Sequence, residues 1–292
     1  MEIKKEEKFE KRLYFFQKIN LNNIKNMDLK KKAIYKSTLI ILLLLSFYSA
    51  GFFISDDLLQ PDFSNKNLPP SFIHFFGTDW MGRDVFYRTL KGFNLSMTIG
   101  VLASLVSSLL AVFFGIISAL GSERIDKMLS WVIDLMLGIP QLLLLILISV
   151  SVGAGIEGVV IGLILTHWIS LARLIRGEVK KLKGQHYIKV SKRLGKSTWW
   201  IMIHHITPHI LPVFLVGLIL MFPHAIMHES ALSFLGLGIP PEKPSIGVML
   251  GDSLKYLSSG VWWAVIFPGI FLVITVLLTD RLVSYLNNIF ET

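Results

Sequence analysis

His224 and His228 stand four residues apart in one hydrophobic stretch, with Glu229 beside the second and Met221 and Met227 nearby. Residues four apart share a helix face, so both imidazoles would project to one side with a carboxylate close by. Imidazole, thioether and carboxylate suit a soft or borderline divalent metal, which makes His224 and His228 candidate metal ligands. Two other readings stay open. Ionisable groups at membrane depth also line solute paths, with His224, Met227, His228 and Glu229 as the candidates, or they form hydrogen bonds between helices.

Other spacings imitate chemistry without the surroundings it needs. Gly195-Lys196-Ser197-Thr198 copies the end of a phosphate-binding loop, but Val190 occupies the place of the required earlier glycine and an amphipathic helix precedes it instead of a strand. Gly153, Gly155 and Gly158 satisfy GxGxxG at a turn between hydrophobic helices, with no strand–helix unit around them; close helix packing explains Gly158 and Gly162 better. His204, His205 and His209 cluster at a helix end and read as interfacial or partner-facing, and His167 reads as a packed, hydrogen-bonded histidine. No HExxH motif and no nucleophile turn supports hydrolysis.

These residues need elements that a bilayer accepts. The chain has 292 residues, of which 53% are apolar and 17% charged, against about 25% charged in ordinary soluble domains. Its mean hydropathy is +0.60. Long uncharged stretches place six transmembrane helices at roughly 37–55, 94–120, 132–153, 156–175, 209–234 and 261–282. Each must be helical because lipid offers no partner for free backbone groups. The fold class is therefore all-α, a polytopic membrane protein. Residues Ser197–Pro208, rich in His and Trp, read as loop and interface.

Charge sets the orientation. With the N-terminus inside, 23 of the 29 Lys/Arg fall on the cytoplasmic side and 6 outside, so both termini are expected in the cytoplasm. Leu39–Ile54 reads as a retained anchor, since the 36 residues before it are too long and charged for an ordinary signal-peptide start. The organisation expected is a basic cytoplasmic arm over 1–36 and a transmembrane domain over 37–292, with an outer segment 56–91 and a cytoplasmic loop 173–208. Within the outer segment, Asp79–Arg83 and Asp84–Arg88 are both i,i+4 pairs, which reads as a short helix over Thr78–Leu90. The net charge of +9 calls for anionic lipid, not nucleic acid. Absence of cysteine excludes disulfides and thiolate metal sites.

The loop 173–208 holds nine Lys/Arg against Glu178 alone. Tyr187, Val190, Ser191, Leu194, Thr198 and Ile201 recur at helical spacing, while Lys189, Lys192, Arg193 and Lys196 fall between them. That describes a short amphipathic helix broken at Gly195, with Ser197 capping a second helix. A chain reversal needs only a few residues, so a partner on that side is the better explanation.

Three segments together resemble the permease subunits of ABC importers of the dipeptide/oligopeptide/nickel family. FGTDWMGRDVFYRTLKG (76–92) is similar to the stretch before that family's second helix, and ESALSFLGLGIPPEKPSIGVML (229–250) resembles its closing signature. The loop 173–208 sits where the family has its ATPase-coupling motif. Gly195 and Pro208 stand at matching positions, but Lys189-Val190-Ser191 replaces Glu-Ala-Ala and Thr207 replaces a leucine. The resemblance covers about Phe76 to the C-terminus and points to the second of two homologous permeases, in the bacterial inner membrane.

The resemblance implies a type I importer permease fold and a short helix, with Tyr187, Lys189, Val190, Ser191, Leu194 and Gly195, docked on an ATPase groove. It also implies a second permease, two ATP-binding subunits that hydrolyse the ATP, and an extracytoplasmic solute-binding protein. No cofactor is expected on this chain, and no catalysis. The solute expected is a peptide, or nickel as a chelate. A secondary transporter or channel subunit is the alternative, disfavoured by the absence of a visible inverted repeat and by the large docking loop. A membrane-embedded enzyme is a weaker one, for want of a catalytic set.

Overall fold

The computed structural model describes residues 30–290, and among these every regular element is helical. The helices are α1 Lys30–Phe53, α2 Val85–Leu120, α3 Glu123–Leu137, α4 Gln141–Val152, α5 Gly155–Lys183, α6 His186–Arg193, α7 Thr198–Phe234, α8 Ile246–Leu254 and α9 Trp263–Phe290. Five of them (α1, α2, α5, α7 and α9) are long and apolar enough to cross a membrane, and the bent pair α3–α4 makes up to six. Of the expected arm over 1–36, residues 1–29 lie outside the described residues, while 30–36 form the first turns of α1.

α5 is the central element, packed against α2, α4 and α7. Small residues let the backbones approach. A Cβ on Gly158 would meet the Ser149 carbonyl oxygen at 2.6 Å, and one on Gly162 would meet Leu145 at 2.8 Å. The same holds on other faces, where a Cβ on Gly115 would meet Ile175 at 2.9 Å and one on Gly217 would meet Leu171 at 2.5 Å. This is the packing that apolar solvent demands, because helices in lipid associate by close fit and not by hydrophobic exclusion.

The span expected at 132–153 is not one helix. It divides into α3 and α4, which meet at 97°. Pro140 explains the break, having no N–H to continue a helix and forcing extended backbone on the residue before it. Gly138 closes α3 by donating to the Asp134 carbonyl at 3.1 Å. Backbone at Gly138–Pro140 is thereby left outside any helix, a condition that membrane proteins tolerate only where the chain is buried in protein or lines a cavity.

The short helix expected over Thr78–Leu90 also needs correction. Residues 78–84 form a turn closed by a Thr78–Asp84 bridge, and α2 begins only at Val85. Asp84 is the reason: its carboxylate accepts from the Phe86 and Tyr87 N–H groups and caps α2, while its other oxygen contacts His74 Nδ1 at 2.8 Å. Arg88 therefore pairs not with Asp84 but with Asp79, at 2.6 Å, and Arg83 Nε joins it at 2.8 Å. Trp263 Nε1 donates to the Thr78 carbonyl at 3.0 Å, and Phe76 stacks on Phe267. The stretch 76–92 is thus a staple that fixes the start of α2 to α9.

Ser197–Pro208, expected as loop, is helical. Ser197 caps it as foreseen, its hydroxyl accepting from Trp200 N at 3.2 Å. α7 then runs unbroken through a π-helical stretch, Met202–Ile206, where Thr207 N donates to the Met202 carbonyl. Pro208 cannot donate to the carbonyl four residues back, so the wider register before it relieves the lost bond.

Candidate functional site

The break between α3 and α4 opens a polar place among apolar helices. A cavity of about 310 Å³ there is lined by Gln141, His167, Ser170, Met221 and His224, together with Leu171, Leu174, Gly217 and Leu220. A second, of about 360 Å³, shares Gln141 and Ser170 with it and runs along Gly138, Ile139, Pro140 and Thr166. Four elements meet: the break itself, the first residue of α4, the middle of α5 and the middle of α7.

The residues expected to share this region divide between two faces of α7. His224 lines the cavity, whereas Met227 is exposed and not among its lining residues. The His228 ring lies edge-to-face against that of His167, with centroids 5.2 Å apart. Glu229 points the other way and is wholly buried. Its carboxylate accepts from Ser96 Oγ at 2.7 Å, Ser233 Oγ at 2.9 Å and Ser230 Oγ at 3.3 Å. Ser96 in turn accepts from Ile246 N, and Ser233 from Ile239 N. Glu229 thus ties α2 and α7 to the chain that folds back into α8, and Gly247 is there because a Cβ would strike the Ser230 carbonyl at 2.3 Å. Among the described residues no group of three His, Asp or Glu converges as a metal set.

The second site is α6. Ile188 is buried and packs with Ile175, Val179, Ile201 and Ile206, which seats α6 on the ends of α5 and α7. Ser191 Oγ meets His205 Nε2 at 3.0 Å, and the Tyr187 ring contacts His205 and His209. Gly195 ends the element with φ +79°, a conformation a side chain resists. With those anchors made, Val190 and Leu194 face away from the protein, as do Trp199 and Ile203; Leu194 is 74% exposed. Lys189, Lys192, Arg193 and Lys196 are exposed around them. The exposed face of this fixed helix is therefore apolar with a basic rim.

Gln141 and Ile188 are not singled out by the sequence, and His167 is singled out there only as a packed residue. Gln141 lies next to Pro140, and a proline inside an apolar run was the available signal. His167 is hydrogen-bonded as expected, its Nδ1 donating to the Leu163 carbonyl at 3.0 Å, but it also lines the cavity. Ile188 falls off the Tyr187–Leu194 stripe, yet it is the residue of α6 buried against α5 and α7.

Comparison with known proteins places the chain among membrane transport components. The family described as "Binding-protein-dependent transport system inner membrane component" matches residues 111–289. The dipeptide transport system permease protein DppC of Bacillus subtilis is 38% identical, over 85% of this chain and 78% of its own length. The oligopeptide transport system permease protein OppC of the same organism is 37% identical over 84% of this chain and 80% of its own. A putative peptide transport system permease protein of Brucella suis is 34% identical over 76% and 75%. Among solved structures, an inward-facing form of the MetNI methionine ABC transporter aligns with TM-score 0.53 and 16% identity, covering 69% of this chain and 97% of that one. At that identity the likeness is one of fold.

Proposed function

This chain belongs to the family of binding-protein-dependent transport system inner membrane components, and from that premise we propose that it imports short peptides, as one permease of an ATP-driven complex. The observation that carries the reading is the fixed, outward-facing surface of α6 on a chain that also holds a cavity between its long apolar helices, with Gln141, His167, Ser170 and His224 in its lining. The complex comprises a homologous second permease, two ATP-binding subunits and an extracytoplasmic solute-binding protein. Both termini lie in the cytoplasm of a bacterium, with anionic lipid around the basic ends of the helices. The chain performs no covalent chemistry and holds no cofactor of its own.

Force reaches the path through one helix. α6 is bound to the base of α7 through Ser191–His205 and Tyr187, and α7 carries Gly217, Met221 and His224 to the cavity. His205 and His224 are separated by roughly 28 Å at 1.5 Å per residue, so one continuous helix links the α6 contact to the cavity. A displacement imposed on α6 by the ATPases therefore moves the cavity wall, and alternation between inward and outward openings follows as a rigid shift of packed helices. Lys189 brings a positive charge to the docking contact, so its partner position on the ATPase is acidic or solvated.

The chain has no cysteine, so Leu194→Cys provides a unique thiol in it. Bifunctional cross-linking from this thiol should capture an ATP-binding subunit in the assembled complex. Capture of that subunit from a thiol at Phe72, far along the chain and 97% exposed, but not from position 194, would refute the docking assignment.

A further inference from the structure

Hydroxyls on the spanning helices are met from within. Those of Thr38, Ser46, Ser104, Thr275 and Thr279 each donate to a carbonyl three or four residues back in their own helix. Ser37 departs from this pattern: the residue is 5% exposed and its Oγ is enclosed with no hydrogen-bond partner. A buried hydroxyl left unmet is costly, so a group able to meet it is called for.

An apolar groove begins one helical turn along. Ile41 and Leu44, four and seven residues past Ser37 and on its face of α1, line a cavity of about 260 Å³ between α1, α2, α7 and α9. Leu45, Leu105, Ile219 and Leu282 form much of the remaining wall. The two polar residues in that wall are Ser104 and Thr279, whose hydroxyls are already spent on their own helices. Such an interior accepts an alkyl chain and penalises a polar solute.

Charge sets the other end of the ligand. Lys36 precedes Ser37, and its Nζ is held over the Tyr285 ring, 5.3 Å from the centroid. Tyr285 is three residues past Leu282 on α9, so both helices bring this contact to the same end of the groove. The first turns of α1 add Lys30, Lys31 and Lys32, with no acid among residues 30–37, and α9 adds Arg281 against Asp280. A carbon-lined groove that ends at an ammonium and a free hydroxyl has the two-part chemistry of an anionic phospholipid.

We infer that one anionic phospholipid binds here, its acyl chain along Ile41, Leu45, Leu105 and Leu282 and its phosphate oxygens accepting from Lys36 Nζ and Ser37 Oγ. It belongs to the leaflet on the side of the chain's N-terminus, where anionic lipid gathers if that side is the cytoplasm. The lipid fills a seam that α1 and α9 share with α7. The inference needs only that these helices span a bilayer and does not rest on the importer reading.

The test uses the assembled complex in nanodiscs of phosphatidylcholine with phosphatidylglycerol titrated in, read by native mass spectrometry after release from the disc. One phosphatidylglycerol per copy of this chain should be retained by the parent and lost in Leu45→Trp, which fills the groove. Lys36→Gln should weaken retention by about fivefold, the scale of one Lys at an anionic surface. Two control changes should leave it unaltered: Lys127→Gln, 75% exposed on α3, and Val273→Trp, on α9 but outside the groove. Phosphatidylglycerol with a photoactivatable acyl chain should label α1 and α9 of the unsubstituted complex, which keeps the test valid if a variant fails to assemble. Retention without headgroup preference, or unchanged in Lys36→Gln or Leu45→Trp, overturns the site. So does release by inorganic phosphate alone, which would mark a free-anion site, or label confined to the second permease.

Discussion

Ser96 Oγ donates to Glu229 Oε2 at 2.7 Å, joining α2 to α7 across 133 residues of sequence. The carboxylate lies wholly inside the protein, and the same serine accepts from Ile246 N, so one hydroxyl serves three elements. A buried acceptor that loses one partner bears the full cost of its desolvation, about 1–3 kcal/mol. Ser96→Ala should therefore destabilise the purified complex by that amount, while Glu229→Gln, which can be met by rotated hydroxyls, should do less. Denaturant titration in detergent measures both, and equal stability of Ser96→Ala and the parent would place Glu229 outside the helix-packing role.

Gly195 is tested through its backbone. A Cβ there meets nothing within 4 Å, yet φ is +79°, so any effect of substitution comes from conformation and not from crowding. Gly195→Val should distort the exit from α6 at about 1–2 kcal/mol and raise the ATP hydrolysed per solute moved. Gly195→Asn, which enters this region more readily, should stay near the parent ratio. Equal coupling in Gly195→Val would count against the hinge.

Ile188 and Leu194 lie six residues apart and should fail differently. Ile188 is 5% exposed and packed in the core, so Ile188→Ala should cost about 2–5 kcal/mol in stability. Leu194 is 74% exposed, so Leu194→Glu should leave the stability of this chain within about 0.5 kcal/mol. The same change should prevent co-purification of the ATP-binding subunits. Retention of those subunits by Leu194→Glu would move the docking surface elsewhere.

Asp79 holds both Arg83 and Arg88, with its side chain and that of Arg88 each 3% exposed. Removing one member of a buried ion pair strands the other, typically at 3–5 kcal/mol. Asp79→Ala should therefore lower the folded yield and the melting temperature, since the staple between α2 and α9 is lost. A melting temperature equal to the parent's would show that the Trp263–Thr78 bond alone secures this region.

Hydropathy made five of the long spans legible, because a bilayer sets the length and apolarity that a helix must have. It could not show the break at Pro140. A 19-residue average sees Leu and Ile on both sides and passes over a single missing N–H. The staple at 76–92 was misjudged for a related reason: i,i+4 charge pairs signal a helix only if nothing else claims the charges, and Asp84 was already committed to capping α2. Helical spacing located α6, its end at Gly195 and the cap at Ser197. Spacing alone could not tell which apolar residue turned inward, since Ile188 and Val190 differ only in what α5 and α7 offer them. His224 and Glu229 were grouped as one candidate path, although five residues turn a helix by about 140°; the packing shows that one faces a cavity and the other a serine-lined interior.

The most direct measurement of the importer reading is peptide uptake into proteoliposomes that contain the two permeases, the ATP-binding subunits and the solute-binding protein. Uptake of a labelled short peptide should require ATP on the side of the ATP-binding subunits and should be indifferent to proton or sodium gradients. Uptake that persists without ATP and follows an ion gradient would contradict the account and make this chain part of a secondary transporter.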